Sequence, residues 1–354
     1  MHLSLLAAAS REALAAASVA RAKVFAEVQA KFAEKAFARE RFRERYGFAR
    51  PPVATKMGDK WMMAIGGSIY RQTKEGGYNF VNAIHDHALS FFGPELVAEQ
   101  TAIPFERMHP AMQWLDMVVA RDEKLRQAGA FVDNDPARQS GAGAAWSRLA
   151  YDLYTIADNG ELSAGLRRRL TSGTDFQGAR HELRVAAQCV VAGFDLTYED
   201  ERDSSKTHPE FIAKDRFSDL RVAVEAKSRH RHGVQGFKGG HPGIPGRKID
   251  ARRLILDAFK KETKLPLYVF IDLNLPARDD ADWQRWMEEL DQTIQDLHVE
   301  GYMADCPANA LFFSNDPSHY VAARVKVFVA SFMQPAAVFL MLPNAFERSS
   351  RVRG

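Results

Sequence analysis

Apolar positions in the second half of the chain switch between two periods. Residues 176–192, FQGARHELRVAAQCVVA, gather Leu183, Ala186, Ala187, Val190 and Val191 on one side of a 3.6-residue repeat, which predicts a helix ended by Gly193. Three short runs follow: FDLTY (194–198), EFIA (210–213) and LRVAVEAK (220–227). They predict strands joined by polar turns, with hairpins among them, although 199–208 is too long for a tight one. RKIDARRLILDAFKKET (247–263) predicts an amphipathic helix, LPLYVFIDLNLP (265–276) a central strand, and residues 281–300 another helix. ALFFSNDP (310–317) and PAAVFLMLPN (335–344) predict two further strands, while YVAARVKVFVA (320–330) fits either type. Helices alternating with apolar strands imply a mixed α/β layer structure.

The first half reads differently. Residues 3–47 contain no proline and only one glycine, Gly47, and are rich in alanine, leucine and charge, which predicts one or two helices. The segment 31–45 has the look of a charged surface helix, with Phe32, Phe37 and Phe42 as anchors. Pro51 and Pro52 stop it. KWMMAIGGSIYRQ, from Lys60, is broken by two glycines; helices are predicted over Phe80–Phe92, Ala111–Ala128 and Ala145–Ile156, and a short basic one follows Gly160. Residues 133–145, DNDPARQSGAGAA, read as a polar linker of small residues. His85 and His87 are two apart, share no helix face, and read as surface or core-edge histidines.

A chain of 354 residues is long for one core, and the change of pattern puts a boundary near 170–175. The expected division is a mainly helical accessory, regulatory or dimerisation domain at 1–172 and an α/β domain at 173–354. The net charge of +3 identifies no partner, but its distribution does more: residues 225–253 hold eight Lys or Arg against two acids. Two cysteines without zinc spacing imply a reducing, cytoplasmic setting, and no run of 18 apolar residues predicts a membrane span.

The candidate chemistry lies in PEFIAKDRFSDLRVAVEAKSRHRH, residues 209–232. Period two puts Glu225 and Lys227 on one side of a strand whose start, Leu220 to Val224, is apolar. A carboxylate and an ammonium at the end of a buried strand need partners or a metal. Glu210 begins the preceding strand, fifteen positions earlier. Two acids and a lysine suit divalent-metal hydrolysis of a phosphodiester. The loop 233–246, with six glycines, lacks the Gly-Lys-Ser/Thr ending of a phosphate-cradling P-loop. Asp272 inside a strand, Asn274 after it, and Ser314 and Asn315 at another strand end are secondary candidates.

A helix bearing Glu182, three strands with Pro209-Glu210 and Glu225-Ala226-Lys227 on neighbours, then a helix and an apolar strand, resembles the PD-(D/E)xK nuclease superfamily. The likeness covers about 176–280 and implies a restriction-endonuclease-like mixed sheet flanked by helices. It implies catalytic roles for Glu182, Glu210, Glu225 and Lys227. Mg²⁺, or Mn²⁺ in its place, would sit on Glu210, Glu225 and Glu182, joined by the Ala226 carbonyl. Arg229, Arg231, Gln235, Lys238 and Arg247 are the expected nucleic-acid contacts. The superfamily's first acid is usually Asp, and here it is Glu210; Asp219, and less so Asp195 and Asp200, are alternatives. The function implied is a DNA endonuclease in a bacterial defence or restriction setting, with a homodimer or a separate partner protein compatible. The alternative is a nuclease-fold protein without activity that binds nucleic acid or forms an oligomeric scaffold.

Overall fold

The computed structural model describes residues 26, 47–50, 52–57, 60–71, 79–130, 140–198, 208–231, 249, 251–275, 280–303, 306–316 and 339–341. The chain divides into two compact units, Met1–Phe48 and Ala49–Gly354. In the first, Ala26 is helical, and the rest of the helix expected over 3–47 lies outside the described residues.

The second unit opens with a small antiparallel sheet of β1 (Val53–Met57), β2 (Lys60–Ile65) and β3 (Ser68–Arg71). The two-glycine break is its hairpin turn: Gly66 and Gly67 take φ of 54° and 82°, which the tight turn requires. A Cβ on Gly66 would also come within 2.8 Å of the Ala157 side chain. Helices follow: α1 (Phe80–Phe92), α2 (Pro94–Thr101), α3 (Pro110–Gln127), α4 (Gly141–Asn159), α5 (Ala164–Thr171) and α6 (Phe176–Val191). Side-chain caps fix several starts, with Asn79, Ser140 and Ser163 accepting from Asn82, Gly143 and Leu166 N–H. The expected linker at 133–145 is therefore shorter at its far end. Ser140 caps a helix whose first residues, Gly141 to Gly143, are small because they are buried.

After α6 come β4 (Phe194–Tyr198), β5 (Phe211–Asp215), β6 (Arg221–Ser228), α7 (Arg252–Phe259), β7 (Leu267–Asp272), α8 (Asp280–Val299), β8 (Ala308–Ser314) and β9 (Phe339–Met341). Helix α7 is half the length expected from 247–263. The strands form one sheet in the order β4-β5-β6-β7-β8-β9. β4, β5 and β6 pair antiparallel, β6, β7 and β8 parallel, and β9 antiparallel to β8. The crossovers between parallel strands contain α7 and α8, as parallel pairing demands.

Alternation sorts the strand residues between two cores. Phe211, Ala213, Val222 and Val224 join α1, α3, α4, α5 and α6 in one cluster. Ile212, Ala223, Val269 and Ile271 join α7 and α8 in the other. The first cluster runs without a break across 172/173, the boundary expected from composition.

In the helical layer His109 is buried and His85 half-buried, and both are held neutral. His85 Nε2 meets Ser147 Oγ at 3.0 Å, and His109 accepts from Ala111 N–H at 3.2 Å with its other nitrogen 3.0 Å from the Leu170 carbonyl. Burial holds each near pKa 4, below the ordinary 6.5. The unfolded chain thus binds protons at both sites between pH 6.5 and 4 while the folded chain does not, so stability falls on acidification through that window. Each contributes about 3 kcal/mol at the full shift. Asp152, pushed up to about 6 by burial against the pull of Arg148 and Arg184, acts oppositely and offsets one of them. The melting temperature is therefore expected to drop from pH 7 to pH 4.5. A flat or rising profile would show that these histidines titrate normally in the fold.

Candidate active site

Strands β5 and β6 form an antiparallel pair with Phe211 opposite Val224 and Ile212 opposite Ala223. The Glu210 N–H extends the ladder, donating to the Val224 carbonyl at 3.0 Å. Glu210 is thereby set beside Glu225, and directly opposed residues of antiparallel strands share a face. Glu225 is wholly buried. It lies on the face of Ala223, and Lys227, two positions on, is directed to the same side.

Two ammonium groups reach the same carboxylate oxygen. Lys227 Nζ lies 2.5 Å from Glu225 Oε1, and Lys261 Nζ lies 3.2 Å from it. Lys261, just beyond α7, also donates to the His208 carbonyl at 2.6 Å, tying the lead-in of β5 to the middle of β6. Both contacts are close ion pairs, the Lys227 one at hydrogen-bond distance, and both Glu225 oxygens are buried. Burial pushes the Glu225 carboxyl pKa up, and the Glu210 charge adds to this while Lys227 and Lys261 oppose it. Burial works against the Lys227 ammonium too, but Glu225 and Glu210 outweigh it and hold its pKa above the ordinary lysine value.

The structure thus brings Glu210, Glu225 and Lys227 together, and adds Lys261. Glu182 is held elsewhere. It is buried on α6, and both its oxygens accept from Arg169 of α5, at 2.7 and 3.2 Å. Asp219 is exposed in the β5–β6 turn, at the other end of β6, and Asp195 there pairs with Arg216 at 2.7 Å. Asp200 lies outside the described residues.

Strand β6 stops at Ser228, and Arg229 and Arg231 lie beyond it in irregular chain. Arg229 donates to the Ile249 carbonyl at 2.9 Å. Arg231 is buried, and its backbone is clamped by Gln177 of α6, which accepts from its N–H at 3.0 Å and donates to its carbonyl at 2.9 Å. Asn274, at φ 47°, donates to both Gln177 Oε1 and the Arg229 carbonyl. Gln235, Lys238 and Arg247 lie outside the described residues.

The other face of the sheet holds a buried ionic network. Arg184 and Arg180 of α6 reach Asp316 Oδ2 at 2.5 and 3.4 Å, and Arg180 also faces Asp272 at 3.9 Å. Ser228 donates to Asp272 at 3.1 Å. Asp272 therefore serves the network and not the Glu225 cluster. Asn315 accepts from the Leu275 N–H at 2.6 Å, a turn contact.

Among the described residues no group of three or more His, Cys, Asp or Glu could hold a metal ion. The Glu210–Glu225 pair still fits a hard cation. Mg²⁺ is commonly held by one or two carboxylates with water completing its shell, and Glu225 offers two buried oxygens, one of which faces the two lysine ammonium groups. No described helix is long and apolar enough to cross a membrane. Comparison with protein-family models, with curated proteins and with solved structures finds no match.

Proposed function

We propose that the chain is a metal-dependent nuclease of the PD-(D/E)xK, restriction-endonuclease-like kind. The observation that carries this is the meeting of Glu210, Glu225 and Lys227 across a β5–β6 pair. The order of elements supports it: α6, three strands, α7 and β7, the order on which the resemblance rests. Glu210 and Glu225 would hold Mg²⁺ or Mn²⁺. When bound, such a cation supplies a water acidic enough to attack near neutral pH and positive charge for the phosphoryl oxygens. Lys227, on the same side of β6 as Glu225, would orient the water or steady the developing charge. Glu182 would take part only by leaving Arg169. Arg229, Arg231, Gln235, Lys238 and Arg247 remain the proposed backbone contacts, Arg231 only if its buried side chain turns outward.

Nucleic acid, DNA in the first instance, is the proposed substrate, and a homodimer would bring one site to each strand of a duplex. A setting in bacterial defence or restriction rests on the resemblance alone, and the cytoplasmic setting on the two cysteines without zinc spacing.

The test is cleavage of supercoiled plasmid, linear duplex and single-stranded DNA with Mg²⁺ or Mn²⁺, by the wild type beside Glu225→Gln. Products from the wild type, reduced at least about a hundredfold in the variant, are expected. Salt-sensitive binding without products would leave a nucleic-acid-binding protein. Neither binding nor products would leave the scaffold alternative. Equal cleavage by both proteins would place the chemistry on other residues.

A further inference from the structure

We infer that Lys261 is a second cationic member of this site: it neutralises Glu225 until a divalent cation takes the carboxylates, and then faces the substrate's phosphate. This rests on the nuclease reading. Lys261 and Lys227 share Glu225 Oε1, so two ammonium groups stand against two carboxylates, Glu225 and Glu210. The four charges cancel in a place where Glu225 itself is fully buried.

A divalent cation entering between the glutamates adds two positive charges beside both ammoniums, and at a few ångströms like charges repel strongly in a desolvated site. One ammonium has to withdraw. Lys227 stands on β6 between two paired strands, whereas Lys261 belongs to the turn after α7 and is tied in by the His208 carbonyl and Glu225. Its side chain is 19% exposed and that of Lys227 25%, so both reach the open side from which a phosphodiester must approach; the place of Lys261 in a turn, and not its exposure, makes it the one to withdraw. An ammonium displaced there meets the one anion that the loaded site attracts.

Two measurements with opposite expected signs test this. Mn²⁺ binding, followed by electron paramagnetic resonance without nucleic acid, is expected to tighten about tenfold in Lys261→Ala, because a competing cation is gone. Affinity of the Ca²⁺-loaded protein for a DNA duplex is expected to weaken about tenfold, because a phosphate contact is gone. Lys261→Met, which keeps the apolar stem, should give the same two signs, and Lys261→Arg should stay near wild type in both. If Lys261 were only a strut between His208 and Glu225, alanine would weaken Mn²⁺ binding, and that result, or an unchanged affinity for either ligand, overturns the inference. A wild type that binds Mn²⁺ no better than Glu225→Gln overturns the nuclease reading as well, and so separates the two failures.

Discussion

Asp316→Ala is expected to remove about 3–5 kcal/mol of folding stability, read as a fall in the urea midpoint with an unchanged slope. Asp316 Oδ2 is the meeting point of Arg184 and Arg180, and all three side chains are nearly excluded from water. Removing the carboxylate leaves two guanidinium groups with Asp152 and Asp272 as the acids near them among the described residues, and Arg148 close by. The loss of one partner of a buried pair is dominated by the charge left behind. Asp316→Asn keeps an acceptor and loses the charge, and should fall between alanine and wild type. A change below about 1 kcal/mol for alanine would mean that water reaches these arginines. The network draws Arg148 and Asp152 from α4, Arg180 and Arg184 from α6, and Asp272 and Asp316 from the ends of β7 and β8. Helices before residue 172 and strands after it are therefore expected to unfold together.

Much of this arrangement is legible in the sequence, and what is missed has a physical pattern. The Phe80–Phe92 helix needs only its apolar period and the glycine that ends it. β4 to β6 and β7 follow from short apolar runs between turn residues, and period two correctly puts Glu225 and Lys227 on one side. Charged residues whose partners are distant in sequence are not legible. Glu182 reads as a helix-border acid, yet it is buried because Arg169 arrives from another helix. Lys261 stands beside Lys260 at the end of a helical pattern and gives no local signal, and the crossover from β6 to β7 carries it to Glu225. Arg180, Arg184 and Asp316 give no local signal either: two positive charges on a helix are unremarkable until the sheet closes over them. The start of α7 is misread for another reason. Arg247 and Lys248 extend the helical pattern, but the described chain at Ile249 is irregular and α7 begins at Arg252. There the Ile249 carbonyl accepts from Arg229 and its N–H donates to Glu289, bonds unlike those of a helix interior.

Lys227→Ala is expected to slow metal-dependent cleavage by about 10²–10³-fold under single-turnover conditions, a barrier increase of about 3–4 kcal/mol. The loss should lie in the chemical step. Lys227 is a quarter exposed, so it stands between the buried carboxylate and the open side of the site, where the reacting phosphate would lie. Fold and metal binding should survive, because Lys261 remains to face Glu225 and because one repelling cation has gone. Lys227→Arg keeps the charge but spreads it over a planar fork, and should recover only part of the rate. Cleavage within about threefold of wild type in the alanine variant, with Mn²⁺ still bound, would remove Lys227 from the chemistry. Its closeness to Glu225 would then be a buried ion pair that holds β6 together, and the acidic pair alone would have to account for any hydrolysis.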